Sequence, residues 1–328
     1  MTIKEVMDKT TTFFKQKGFL SPRLDAELLI AHGLGCERLQ LYLKFDQPLK
    51  EHEVTLLRDL VKRRTTGEPV AYILGKKDFY KNSFLVNQSV LIPRPETETL
   101  VEMAANFIES QKPYKQFKIL DIGGGSGCIG ISLAKEFPDA HVTIIEKSNE
   151  ASAVIAENAR LNKATNVSLV RVDASDIELF KQCWNPQDTV FKASQSDVKS
   201  NSTANGCDGL GVNSDTSEVL ASVSADLVFD IVVSNPPYIA KDDKDVEENV
   251  KKYEPQEALF ADEDGYLFLK DWTQKYAQLL RGGGKMIFEM GHTQGNRLSE
   301  YLQKLNIFTS VNVVKDLSGK DRFIVMVK

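Results

Sequence analysis

The chain has 328 residues, 42% of them hydrophobic and 27% charged, with a formal net charge of −5. That length supports a main domain of roughly 200–250 residues plus a smaller one, and the composition is that of an ordinary globular protein. The acidic balance argues against a large nucleic-acid footprint, which shows as a basic excess, and no run is long and apolar enough to cross a membrane.

Cys36, Cys128, Cys183 and Cys207 are scattered without a C-x-x-C pair, and the histidines lack metal-ligand spacing, so neither a metal site nor a disulfide framework is indicated. Reduced, cytoplasmic conditions suit this pattern. Lys4, Glu5, Asp8 and Lys9 mix charges without a long apolar run, which predicts no signal or transit peptide.

Residues 1–75 read as helical. Ser21-Pro22 marks a helix start, a capping hydroxyl followed by proline, and Leu24, Leu28 and Leu29 share a face. A further helix begins near Leu49, carries Val54, Leu57, Leu60 and Val61 at helical spacing, and ends in Lys62, Arg63 and Arg64, read as a solvated helix end. Residues 76–95 form a hairpin and proline-rich linker, with Asn82-Ser83 as the expected turn between extended segments. Ile92-Pro-Arg-Pro leads to the next helix, whose first turn holds Glu96 and Glu98.

Residues 96–328 alternate strand and helix. Strands are expected at Phe117–Ile122, His141–Glu146, Val167–Val172, Phe229–Ser234 and Lys285–Glu289. Two more, Val311–Val314 and Phe323–Val327, are expected to form a terminal antiparallel pair around Ser318-Gly319. This is an α/β pattern, a mostly parallel sheet with helices on both faces. Residues 185–224, rich in Ser, Asn, Asp and Gly, break the rhythm and read as a flexible surface insertion.

Asp121-Ile-Gly-Gly-Gly-Ser-Gly follows the first of these strands and precedes a helix. Gly123, Gly125 and Gly127 allow a tight turn and close approach to a ligand. Gly125, Gly127 and Gly130 also satisfy G-x-G-x-x-G, so a dinucleotide-binding reading stands beside any other. Glu146, ending the next strand, suits ribose hydroxyls, and Asp173, ending the third, can approach an adenine. Asp121 tilts the choice. An acid just ahead of the glycines sits badly beside a pyrophosphate but suits an ammonium group, such as the methionine end of S-adenosylmethionine.

Asn235-Pro236-Pro237-Tyr238 follows the fourth strand. In an open parallel sheet that address faces the ligand. An amide or aromatic amino nitrogen is a poor nucleophile because its lone pair is delocalised. The Asn235 oxygen and the Pro236 carbonyl can hold its two hydrogens and orient it for attack. The prolines stiffen those acceptors, and Tyr238 can lie against a planar target.

Here the chain resembles the protein-glutamine N5-methyltransferases that modify class-1 peptide-chain release factors, the HemK/PrmC family. Besides Asn235–Tyr238, the matching stretches are Phe84–Glu98, Tyr253-Glu254-Pro255 and Glu289–Gln294. The resemblance implies a Rossmann-like class I methyltransferase with a seven-stranded, mostly parallel sheet and a small helical domain at 1–75 that recognises the substrate. It implies S-adenosylmethionine as cofactor and the glutamine of a Gly-Gly-Gln motif as target, with no membrane and no stable nucleic-acid partner. Nucleic-acid amino-methyltransferases of adenine N6 or guanine N2 share Asn-Pro-Pro-Tyr and remain the alternative. Two features depart from the family: Gly124, where threonine is common, and the long insertion.

Overall fold

The computed structural model describes residues 1–111, 116–185 and 227–328. The insertion expected at 185–224 lies, beyond Asn185, outside the described residues. Two compact units emerge. One comprises Met1–Lys77, Val86–Gln88 and Val246–Glu254; the other comprises Asp78–Leu85, Ser89–Asp245 and Pro255–Lys328.

The first unit is helical: α1 (Ile3–Gln16), α2 (Pro22–Gly33), α3 (Arg38–Leu43), α4 (Glu51–Thr65) and α5 (Val70–Leu74). α1 starts on a reciprocal cap, in which Thr2 Oγ1 accepts the Glu5 N–H and the Glu5 carboxylate accepts the Thr2 N–H. Pro22 opens α2 as expected, but the Ser21 side chain makes no capping bond. Met7, Phe14, Leu29, Ile30, Leu57 and Leu60 close the core. Arg64 is not a solvated helix end. It stacks over Phe19 at 4.0 Å and donates to Asp25 Oδ2 at 2.8 Å, so this charge is spent on packing. A later segment, α10 (Glu248–Tyr253), joins this unit. The Tyr253 hydroxyl donates to the Thr66 carbonyl at 2.9 Å, and a Cβ on Gly67 would stand 2.1 Å from Asn249 Oδ1.

The hairpin strands are β1 (Lys76–Phe79) and β2 (Asn82–Leu85). The turn falls at Tyr80-Lys81, two residues before the expected Asn82-Ser83, with Tyr80 in the left-handed region at φ 55°. A tyrosine pays for that φ and carries no turn signature, so the turn is not legible locally.

The second unit is built on α6 (Pro95–Ser110), β3 (Lys118–Ile122), α7 (Cys128–Glu136), β4 (His141–Ile145), α8 (Asn149–Leu161), β5 (Val167–Val170), α9 (Ile177–Cys183) and β6 (Phe229–Ser234). It continues through β7 (Ile239–Ala240), β8 (Phe260–Ala261), α11 (Leu267–Ala277), β9 (Leu280–Glu289), α12 (Gly295–Lys304), β10 (Ser310–Lys315) and β11 (Asp321–Val327). Seven strands form one sheet in the order β10-β11-β9-β6-β3-β4-β5. β5, β4, β3, β6 and β9 run parallel, while β11 and β10 add an antiparallel edge.

Strand alternation divides the core between the two faces. Ile119, Ile144, Ile231 and Ile287 meet α6, α7 and α8 on one face. Leu120, Ile145, Val232 and Phe288 meet α9, α11 and α12 on the other. β9 starts at Leu280 rather than Lys285, through Gly282–Gly284, and a register shift against β6 absorbs the extra residues. Cys36 and Cys128 are free thiols.

Candidate active site

Strand order reverses between β3 and β6, so ligands belong at the carboxyl ends of these strands. The residues there enclose a cavity of about 800 Å³ within the second unit, walled by the glycine loop, Glu146, Asp173, Asn235, Pro237 and Trp272. Gly123, Gly125 and Gly127 turn the chain at φ 73°, 56° and 79°, a region only glycine enters freely. The Gly123 and Gly124 N–H groups both donate to the Ile145 carbonyl at 2.9 Å, binding the loop to the end of β4. A Cβ on Gly124 would stand 2.2 Å from Ile144 Cγ2, so the departure from threonine is matched by an isoleucine filling that space.

Asp121 lies beneath the loop, 1% exposed. Its Oδ2 accepts the Gly130 N–H at 2.8 Å, an approach that a Cβ on Gly130, 3.0 Å from the same oxygen, would crowd. Its Oδ1 is buried with no hydrogen-bond partner among the described residues. Burial pushes the Asp121 carboxyl up to about 7; the Gly130 N–H opposes the shift and the Glu146 charge adds to it. Just past β4, Glu146 accepts the Gly125 N–H on Oε2 and the Ser148 N–H on Oε1, both at 2.9 Å. Asp173 stands three residues beyond the end of β5, exposed at the cavity wall, with Oδ1 accepting the Ser175 N–H at 2.8 Å. Cys128 also lines the cavity, but burial raises its thiol to about 12, so it stays protonated and is no nucleophile.

The opposite wall is the tetrapeptide after β6. Ser234 Oγ donates to the Ile122 carbonyl at 2.7 Å and ties the ends of β6 and β3 together. Asn235 Nδ2 donates to Thr97 Oγ1 at 3.2 Å, and Thr97 Oγ1 donates to Glu289 Oε2 at 2.6 Å. The Tyr238 hydroxyl donates to Glu289 Oε1 at 3.1 Å. Burial raises the Glu289 carboxyl, while the Thr97 and Tyr238 hydroxyls and the Arg322 charge pull it down. Gln294 Nε2 donates to the Tyr238 carbonyl at 3.0 Å, and Gln294 Oε1 accepts the Gly291 N–H at 2.8 Å.

Gly123, Gly125, Glu146, Asp173, Asn235 and Pro237 thus share one cavity, whereas Asp121, Gly127, Pro236 and Tyr238 stand behind its lining. Sequence reasoning missed Thr97, Glu289 and Gln294 as working groups. They fall within the stretches Phe84–Glu98 and Glu289–Gln294, which carry the resemblance but had no chemical reason attached.

A cationic group fits this cavity well. Asp121 stands just behind the lining, and its Oδ1 lacks a donor, which an ammonium at that lining would supply and a pyrophosphate would not. Sheet order and cavity are those of a Rossmann-like fold, and with the family matches that follow they make the chain a class I methyltransferase that uses S-adenosylmethionine. A family profile described as "PrmC N-terminal domain" matches residues 5–75, and one described as "Methyltransferase small domain" matches residues 98–183. The release factor glutamine methyltransferase of Rhodopirellula baltica is 32% identical over 100% of this chain and 96% of its own length. Those of Chlorobaculum tepidum, 34% identical over 98% and 95%, and Koribacter versatilis, 31% over 99% and 98%, align as fully. The chain belongs to the release factor glutamine methyltransferase family.

Proposed function

We infer that this enzyme methylates the side-chain amide nitrogen, N5, of the glutamine in the Gly-Gly-Gln motif of class-1 release factors. The observation that carries the reading is the Asn235 amide, tethered by Thr97 and set in the same cavity as the glycine loop and Glu146. S-adenosylmethionine supplies an electrophilic methyl group on a sulfonium. Asp121 would meet the ammonium of the cofactor, Glu146 would accept from its ribose hydroxyls, and Asp173 would lie toward its adenine. Gly123, Gly125 and Gly127 keep side chains out of the way.

Asn235 Oδ1 and the Pro236 carbonyl accept the two hydrogens of the target amide. Held so, the nitrogen lone pair is turned out of conjugation toward the methyl group, a matter of orientation and preorganised dipoles rather than of acid–base strength. Pro236 and Pro237 stiffen these acceptors, and Tyr238, held by Glu289 behind the lining, backs the wall against which a planar group would lie. The helical unit grips a surface of the factor away from its Gly-Gly-Gln loop.

The net charge of −5 supports a protein target over nucleic acid, and a translation-factor substrate supports a cytoplasmic site of action. Among the described residues, no helix is long and apolar enough to cross a membrane. The test is methyl transfer measured side by side on purified release factor, DNA, RNA and free glutamine, with the modified residue located by mass spectrometry. Transfer to the Gly-Gly-Gln glutamine is expected. Preferential transfer to an adenine or guanine amino group would favour the nucleic-acid alternative.

A further inference from the structure

Asn235 serves the target nitrogen only when its oxygen, not its NH2, faces that nitrogen. The two flips of an amide are nearly the same in shape, so hydrogen bonds decide between them. Thr97 Oγ1 has one hydrogen to give, and it gives it to Glu289 Oε2 at 2.6 Å. Its remaining capacity is to accept, and it accepts from Asn235 Nδ2 at 3.2 Å. The flipped amide would set an oxygen against that oxygen, two acceptors with no hydrogen between them.

Glu289 closes the arrangement from the far side. In its ionised form, which the two hydroxyls and the Arg322 charge favour against burial, Glu289 only accepts, so it holds the Thr97 and Tyr238 hydroxyl hydrogens toward itself, at 2.6 and 3.1 Å. Thr97 and Glu289 are 2% and 1% exposed, which shields both bonds from competing water. Thr97 comes from the first turn of α6 and Glu289 from the end of β9, so two remote elements converge on the tetrapeptide.

We propose that Thr97 and Glu289 are positioning residues that set the flip of the Asn235 amide, presenting its oxygen rather than its NH2 to the target nitrogen. This rests on the role given to Asn235 above. The chain of bonds is directional: carboxylate, hydroxyl and amide each leave the next group one choice. Thr97 therefore acts through Asn235 and has no separate part in the reaction.

Thr97→Val keeps the shape and removes the hydroxyl. Its single-turnover rate on intact release factor is expected to fall at least about tenfold, the scale on which one hydrogen bond sets an orientation. Calorimetric affinity for S-adenosylmethionine and KM for the factor should stay within about twofold, and Thr97→Ser should recover most of the rate. In an Asn235→Ala background, Thr97→Val should cost nothing further, because the group it orients is gone.

A Thr97→Val rate within about twofold of the parent, or a loss that multiplies with that of Asn235→Ala, overturns the proposal. If Asn235→Ala itself keeps the parental rate, the role of Asn235 falls and the proposal with it. If Asn235→Ala is slow but Thr97→Val is not, the proposal alone falls. Should a thermal melt show that Thr97→Val does not fold, Thr97→Ala, smaller and free of any clash, is read in the same way.

Discussion

At the glycine-loop end of the cavity, each carboxylate is held by backbone N–H groups from its own βαβ unit. Asp121 is held by Gly130, Glu146 by Gly125 and Ser148, and Asp173 by Ser175. At the Asn235 end, the holds are side chains from remote elements: Thr97 on the amide, Glu289 on Tyr238, and Gln294 on the Tyr238 carbonyl. A backbone-held site tolerates much variation in its neighbours, since any residue offers an N–H. A side-chain-held site depends on particular donors and acceptors and fails when one is exchanged. The first arrangement suits an invariant cofactor, and the second suits a reaction that needs one amide in one orientation.

The largest effect should come from the remote-held end. Asn235→Ala is expected to cut turnover by at least about 10²-fold, the scale of losing a preorganised polar group, with nearly normal cofactor affinity by calorimetry. From the tetrapeptide alone, Asn235→Asp looks mild because it keeps an acceptor oxygen. The Thr97 contact reverses that expectation. An aspartate gives Thr97 no hydrogen and adds a second carboxylate near buried Glu289, so it should fall nearly as far as the alanine variant. A well-preserved rate in Asn235→Asp would break the contrast between the two ends.

At the backbone-held end, Glu146→Ala should weaken cofactor binding by about 1–3 kcal/mol, through loss of a charged acceptor for ribose and of the brace on Gly125. Unchanged affinity by calorimetry would move the ribose contact elsewhere. Gly124→Thr should destabilise the fold by about 1–3 kcal/mol, because its Cβ meets Ile144 Cγ2 at 2.2 Å. Combined with Ile144→Ala, the cost read from denaturant unfolding should be smaller than the sum of the two single changes. Simple additivity would show that the loop yields without strain.

The smallest effect is in pH. Burial raises the Asp121 carboxyl to about 7, so in the cofactor-free protein it is protonated below that pH. A cation binds the ionised form, so cofactor affinity should fall by up to about tenfold per pH unit below 7, with proton release on binding. Calorimetry near pH 6 in buffers of different ionisation heat reads this directly, and heats independent of buffer would contradict it. For stability the sign is the opposite of that for a salt-bridged acid. A carboxyl raised in the folded state contributes stability below its unfolded value of 3.8, and that contribution is lost as pH rises through about 7. Relative to Asp121→Asn, the cofactor-free enzyme should therefore lose stability between about pH 4 and 8.

Local chemistry made the parallel sheet legible, through apolar strands alternating with helices, and made the glycine turn, its three acids and the tetrapeptide legible at their addresses. These depend on short-range rules: the period of a strand, the φ that only glycine takes freely, and the ligand end of a parallel sheet. The errors have equally physical causes. The hairpin turn sits at Tyr80-Lys81 because strand register, a pairing property, outweighed the turn preference of Asn82-Ser83. Strand β9 runs through Gly282–Gly284 because a bulge against β6 absorbs residues that propensity assigns to a loop.

Its place at a helix end predicts a solvated charge for Arg64, but the Phe19 ring and Asp25 that claim it lie in other segments of the helical unit. For Asn235 the residue type was legible and the direction of its amide was not. That direction depends on where two distant side chains, Thr97 and Glu289, place one hydroxyl hydrogen, and only the packing of α6 and β9 around the end of β6 brings them there.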